Sequence, residues 1–438
     1  MQGKTLNFTR EIPVRASYDV AVVGGGPAGF IAAIAAARGG ARVALIEKYG
    51  FLGGAATAAL VNPISTFRKN GELVIGGIAW EFVERLTALG GADKSYPNGN
   101  VPVDAELYKL VAQRMVLEAG VSLYLHTVPV DIAGEPSAPT HLVLHSKSGI
   151  EAIEAKYFID CTGDGDLCAA CGVPMQEMPA VEQLQPASLG FRLGGVKTEL
   201  ITGLHPATPG AKFQMVSVRE IFTRLAGEGV RVPNFGGPWF CTVCNDAAGI
   251  VSVNITRTQA NAADGESVTR AECTLREDVH ALFGLLKKYV PAFENSYLIT
   301  SAAQAGFRES RRIRGIHTLS AAEYASAYHF HDSVARGAHP IDIHRAADSG
   351  QDVKFLEKAG YIPYRAMVAE GFDRLLAAGR CISADREAFG SIRVMATAMA
   401  LGHAAGTAAA LCLLRRCGTT ALDTEALRAA LLEQGAII

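Results

Sequence analysis

The sequence predicts an α/β protein: a parallel sheet carrying helices, with a second, α+β domain inserted into it. Three observations predict this. First, a buried strand, a glycine turn, an Ala-rich helix and a second buried strand follow one another near residues 18–47, the order of a βαβ unit. Second, the same buried pattern returns after residue 361 and ends in a long Ala-rich helix. Third, the stretch between about residues 174 and 346 has scattered polar and aromatic residues and weak periodicity. The expected division is a discontinuous nucleotide-binding domain of residues 15–66, 104–173 and 360–438. Residues 67–103 and 174–359 would form the inserted substrate or cap domain.

Taken in order, residues 18–23 (YDVAVV) form a run long enough for a strand buried on both faces. Residues 24–29 are a glycine turn, 30–38 a helix ended by Gly39 and Gly40, and 41–47 (ARVALIE) the second strand. Asp104 can cap a helix with apolar residues at Leu107, Leu110, Val111 and Met115, one face at helical spacing, and Gly120 closes it. Residues 121–128 then read as a strand, 157–161 as a short strand ending in a glycine turn, and 375–382 as the last strand.

Composition narrows the functional classes. The chain has 438 residues, 49% of them apolar, and a formal net charge of -2. A near-neutral, apolar-rich chain is a globular protein, not a disordered tail or a clamp for nucleic acid. Residues 1–17 lack an apolar h-region, so no signal peptide is expected and a cytoplasmic location follows. Residues 394–414 carry no charge, which is about the length of a membrane span. Their Ala, Gly and Thr content inserts poorly, so a helix buried inside the protein is expected, with no membrane partner. Nine cysteines without a leader fit reduced thiols. Two pairs, Cys168 with Cys171 and Cys241 with Cys244, have C-x-x-C spacing, but too far apart for a compact zinc module, and no metal is expected.

The chemistry is written in the turns. Residues 24–29 (GGGPAG) match G-x-G-x-x-G between a strand and a helix, and Glu47 ends the next strand 18 residues after Gly29. Gly24 makes the tight turn, Gly26 admits a pyrophosphate close to the backbone, and Gly29 lets helix and strand pack. The helix N-terminus offers free N–H groups to phosphate, and Glu47 can accept hydrogen bonds from a ribose diol. Residues 51–57 (FLGGAAT) place a second glycine pair after the acid. Residues 160–166 (DCTGDGD) and 378–385 (AGRCISAD) add two further turns, and residues 391–395 (SIRVM) open the last long helix.

These segments, in this order, resemble the FAD-dependent oxidoreductase family within the two-dinucleotide-fold, glutathione reductase-like flavoproteins. The resemblance implies a Rossmann-like FAD-binding domain, an inserted substrate domain and noncovalent FAD. It implies cofactor contacts at Gly24, Gly26, Pro27, Ala28, Gly29, Glu47, Lys48, Gly53, Gly54, Ala55, Thr57, Val128, Thr162, Gly163, Asp164, Asp385, Arg393, Val394 and Met395. Asp385 would bind the ribityl chain, and Arg393 with the helix after it would face the flavin edge where negative charge develops on reduction. No second G-x-G-x-x-G occurs in another βαβ unit. That argues against a docked NAD(P)H and agrees with an external electron carrier.

Substrate residues are less marked. Arg308, Arg311 and Arg312 share a face if residues 308–314 are helical, and such a face could hold a carboxylate or be a solvated ion-pair network. His344, within the run 342–345 (DIHR), could move protons at neutral pH or be structural. His403, inside the apolar helix, reads as a core histidine. The catalytic expectations are His344, Arg308 and Arg393, with hydride passing between a small-molecule substrate and flavin N5. The alternatives are a flavin-linked thiol-disulfide protein using Cys168 and Cys171, or a non-redox flavoprotein. Substrate identity, direction and homo-oligomer formation stay open.

Overall fold

The computed structural model describes residues 5–96, 99–201, 215–242 and 249–438. Strands β1 (Val14–Val23) and β2 (Val43–Ile46) flank helix α1 (Pro27–Arg38). β1 pairs in parallel with β2, Val20 against Val43 through Val23 against Ile46. Helix α2 (Gly77–Ala88) and helix α3 (Ala105–Glu118) precede strand β3 (Ser122–Tyr124), which pairs with β2. Strands β4 (Val128–Glu135), β5 (Ala138–Ser146) and β6 (Gly149–Asp160) follow as an antiparallel meander. β6 returns parallel to β1, and its last three residues also pair with the strand Leu375–Ala377. The parallel centre of the sheet is thus β3-β2-β1-β6 followed by Leu375–Ala377. Val20 to Val23 are almost fully buried, the expected state of strands covered on both faces.

The second unit is built on an antiparallel sheet of β7 (Phe191–Gly194), β8 (Phe235–Thr242), β9 (Val251–Thr256) and β10 (Tyr297–Ser301), in the order β8-β9-β7-β10. Helix α4 (Gly265–Tyr289) lies on it and buries Ala271, Leu275, Val279, Leu282 and Leu286, a stripe at helical spacing. Asp264 caps α4 by accepting the Ser267 N–H at 2.6 Å.

Among the described residues there are two hydrophobic cores. The second core draws on residues from Ala187 to Ala305, with Leu60 and Ala105. Residues 67–103 belong to the first core instead, through Phe67, Ile78, Phe82, Leu86 and Val101, and so do Ile313, Tyr324, Val334 and Ile341.

Helices α5 (Arg386–Ile392) and α6 (Met395–Arg415) complete the first unit. α6 is long and apolar enough to cross a membrane by composition, but 78% of its apolar window is buried inside the protein. Its partner is α1. A Cβ added at Gly402 would sit 2.1 Å from the Ala28 carbonyl oxygen, and one at Gly406 2.2 Å from that of Ala32. Only glycine permits so close an approach, and α1 answers with alanine at the facing positions. His403 is a core residue, bonded to Gln434 at 2.7 Å.

Three local expectations differ from the structure. The run 121–128 is not one strand, because His126 adopts φ +50° and the chain re-enters the sheet as β4. The last strand stops at Ala377, since Gly379 turns the chain at φ +87°. Residues 308–314 are not helical, so their arginines diverge instead of sharing a face.

Candidate active site

A cleft of about 1670 Å³ lies where the carboxyl ends of β1, β2 and β6 meet the inserted unit. Single-ligand pockets occupy roughly 300–1,000 Å³, so this one has room for a large cofactor and a substrate together. One group of lining residues is the glycine-rich set. Gly24 has φ +96°, and a Cβ there would lie 2.5 Å from the Cys161 carbonyl oxygen. Gly26 faces Gly54, where a Cβ would come 2.9 Å from the Gly26 Cα. Gly26 is also the N-cap of α1 and supplies no side-chain cap, with Pro27 at the first turn. The N-terminal N–H groups of α1 are therefore left for a ligand. The start of α6 (Val394, Met395, Ala398) lines the same cleft, again without a side-chain cap.

Two buried carboxylates shape this lining. Glu47 accepts the Gly25 N–H at 2.6 Å and the Tyr49 N–H at 2.9 Å, and burial raises its pKa. Asp160, fully buried at the end of β6, accepts the Thr162 N–H at 3.0 Å, the Thr162 hydroxyl at 2.7 Å and the Cys168 N–H at 2.8 Å. It fixes the turn that presents Thr162 and Gly163. The D-C-T-G sequence marks that turn, but only the three bonds reveal Asp160 as its anchor.

The second group of lining residues is polar and cationic. Arg257, just past β9, is 4% exposed and donates from Nη1 to the Ser188 hydroxyl (2.6 Å), the Thr256 carbonyl (2.8 Å) and Asn254 (3.0 Å). Arg308, 9% exposed, donates to the same Ser188 oxygen (2.8 Å) and to the Pro186 carbonyl (2.5 Å). Two guanidinium charges thus meet within one hydroxyl's reach. At roughly 5 Å and an effective dielectric of about 20 they repel by about 3 kcal/mol. Burial lowers the pKa of both, to about 10 for Arg257.

Arg393 donates to the Asp342 carbonyl at 3.0 Å and to Gln185 at 3.3 Å, with the Asp342 carboxylate 3.6 Å away. Burial sets the Asp342 pKa upward, but His344, Arg393 and His339 win and hold it below the usual range. His344 lies between Asp342, at 3.1 Å from Nε2, and Arg257, at 3.5 Å from Nδ1. Burial, with the Arg308 and Arg257 charges, pushes it to about 3 against the pull of Asp342. It is neutral at pH 7, donating through Nε2 and accepting at Nδ1. His339, also on the cleft, is pushed to about 4 by burial and Arg393. The Ser65 hydroxyl donates to Asn100 at 2.6 Å, so it must accept from His339 Nδ1 at 2.9 Å. That leaves a bare Nε2 on His339.

The family described as FAD dependent oxidoreductase matches residues 19–431. The chain belongs to this family. Among curated relatives, a dihydrolipoyl dehydrogenase of Trypanosoma brucei brucei is 55% identical over 47 residues, 11% of this chain, which spans only a tenth of that enzyme's length. A thiamine thiazole synthase of Pyrococcus horikoshii is 29% identical over 240 residues, 53% of this chain and 84% of that one. Among solved structures, a geranylgeranyl bacteriochlorophyll reductase-like protein of Thermoplasma acidophilum aligns with TM-score 0.49 and 13% identity, over 96% of this chain and 84% of that one. A flavin-dependent brominase aligns with TM-score 0.49 and 14% identity, over 95% and 83%.

The protein is an FAD-dependent oxidoreductase, and its residues fit FAD. The facing glycines Gly26 and Gly54 leave a passage that a Cβ would fill, and two uncapped helix N-termini border it. Of the residues expected to touch FAD, Gly24, Gly26, Pro27, Ala28, Glu47, Lys48, Gly54, Ala55, Val128, Thr162, Gly163, Asp164, Arg393, Val394 and Met395 line the cleft. Four stand behind it. Gly29 packs against the Gly24 carbonyl. Gly53, at φ +113°, lies against Thr57 and Tyr108, and the Thr57 hydroxyl donates to the Leu52 carbonyl at 2.8 Å. Asp385, expected to bind the ribityl chain, caps α5 through the Ala388 N–H and accepts the Ala321 N–H, both at 2.7 Å. Both its oxygens serve backbone N–H groups.

Of the expected substrate residues, Arg308, Arg393 and His344 share the cleft. Arg311 instead pairs with Asp166, and Arg312 stacks on Phe389 beside Glu309. Sequence reasoning missed Arg257, His339 and Gln185. Arg257 had one signal, a polar Asn-Ile-Thr-Arg end to an otherwise buried strand. Cys168 and Cys171 are buried, and burial together with the Asp160 charge raises both thiols, Cys171 to about 12. A thiolate is the redox nucleophile, and burial disfavours that form in both residues. Cys244 lies outside the described residues.

Proposed function

We propose that the protein transfers a hydride between a carbon of a small organic substrate and noncovalently bound FAD, with an external carrier in the cytoplasm closing the cycle. The observation that carries this reading is one cleft lined by both the FAD cradle and the cationic cluster, joined through the consecutive residues Arg393, Val394 and Met395. Bound FAD accepts or donates two electrons at N5 and stores the negative charge. The chain supplies position, charge and a proton acceptor.

In this reading Gly26, Gly54 and the start of α1 hold the pyrophosphate, and Glu47 the ribose. Arg393 and the positive end of α6 stabilise negative charge on the reduced ring. Arg308 and Arg257 anchor the substrate. His344, neutral between Asp342 and Arg257, orients Arg257. His339 takes the proton that leaves an O–H or N–H as the adjacent C–H gives up its hydride; the reverse reaction returns both. Descent from the glutathione reductase-like lineage is part of the same proposal, supported by the order of the glycine turns.

The first test is the absorbance spectrum of the purified protein, followed by heat release. Two flavin bands, with FAD in the supernatant, are expected. Colour that stays with the precipitate refutes noncovalent binding. Anaerobic bleaching of the flavin by an alcohol or amine substrate then tests hydride transfer; bleaching that shows no primary deuterium isotope effect refutes it.

A further inference from the structure

We propose that the substrate carries a carboxylate, received by the Arg257 and Arg308 guanidiniums beside the flavin cradle. This rests on the reading that the cleft holds a substrate next to FAD, and it names that substrate's class.

A buried charge requires a partner, and the chain supplies one elsewhere. The buried Arg312 lies 3.5 Å from Glu309, and the half-buried Arg365 and Arg380 lie 3.0 Å from Asp332 and 2.7 Å from Asp164. Arg257 and Arg308 are different. Every acceptor they have among the described residues is neutral: the Ser188 hydroxyl, the Asn254 amide and the carbonyls of Pro186 and Thr256, with the neutral His344 ring beyond. The nearby carboxylate, Asp342, is engaged through Oδ2 by His344 and Arg393, and its Oδ1 bonds to neither Arg257 nor Arg308. Each of the two arginines donates to these oxygens through Nη1 alone.

A protein that buries two like charges side by side tolerates their repulsion where a ligand of opposite charge completes the set. Guanidinium forks arriving from two separate segments and meeting at Ser188 suit the planar oxygens of a carboxylate. Asp342 carries negative charge in the same cluster, which disfavours a doubly charged phosphate more than a singly charged carboxylate. The histidines add no positive charge at neutral pH.

The test uses the oxidised, FAD-loaded protein, without turnover. Acetate, malonate and succinate are titrated by calorimetry beside acetamide, malonamide and succinamide. At least one acid is expected to bind tenfold or more tightly than its amide. Arg257→Gln and Arg308→Gln should each weaken that acid at least tenfold while FAD content is kept, and Arg224→Gln, an exposed partner of Glu228, should not. If a variant loses FAD, the acid-amide comparison in the unaltered protein and Arg308→Lys decide. Equal binding of acid and amide overturns the proposal, as does unchanged binding in both Arg→Gln variants, or tighter binding of inorganic phosphate than of every carboxylate. The two readings fail separately. Carboxylate binding that depends on Arg257, with no isotope effect on flavin bleaching, refutes hydride transfer and leaves this site standing. Isotope-sensitive bleaching by a neutral alcohol, unaffected by Arg257→Gln, does the reverse.

Discussion

Glu47 carries two backbone N–H groups on its carboxylate as well as facing the cleft. Replacing it with alanine leaves buried donors unpaired, at a cost of about 1–3 kcal/mol for each. Glu47→Ala should therefore lower both the melting temperature and FAD retention, and Glu47→Gln, which keeps an acceptor oxygen, should lie between. Equal FAD retention in all three proteins would exclude the ribose role. Cys168 offers the opposite expectation: buried and protonated, it should tolerate Cys168→Ser with turnover within about twofold, measured against the same substrate. Glu47 was legible because its place at the end of a strand defines its task. Asp160, Arg257 and His339 were not. Their roles depend on partners brought together by folding, as when Arg257 meets Ser188 and His344, far away in sequence.

At the scale of elements, the glycines of α6 set how closely it lies on α1. Gly402→Ala should push the helices apart and reduce thermal stability and FAD retention together, since Ala28 both touches Gly402 and lines the cleft. Gly284 in α4 has nothing within 4 Å of a Cβ, so Gly284→Ala should raise stability by about 1 kcal/mol in denaturant unfolding. A stabilising Gly402→Ala would contradict the packing account. The sequence pattern located α1, α3 and α6 well, because small or apolar residues recur without interruption and Asp104 caps α3 at 2.7 Å. It failed at residues 308–314, where charged residues at helical spacing serve separate partners, and at the break near His126, where a non-glycine residue takes a left-handed turn that histidine favours only weakly against the strand pattern around it.

For the whole molecule, the cleft imposes a dependence on pH. His339 and His344 are held neutral, with pKa values near 4 and 3 against 6.5 when unfolded. The unfolded chain therefore binds more protons between these limits, and stability falls as pH drops from about 6.5 toward 4. Above 6.5 these two groups contribute no slope. Melting temperatures across pH 4–8 should show that decline, and His339→Asn should make it shallower. An unchanged slope in the variant would place the titration elsewhere. Phe67, Phe82 and Ile313 join the first core through contacts that no linker composition announces.

The union of α1 and α6 also constrains how the protein is made. α1 buries Ala28 through Ala36 in succession, and α6, which covers it, follows the inserted unit in chain order. The nascent chain must therefore carry an apolar helix with its covering surface still unsynthesised, through the whole translation of the inserted unit. Transiently exposed apolar surface of this kind favours aggregation, and the nucleotide cleft is complete only once the start of α6, which lines it, has been made.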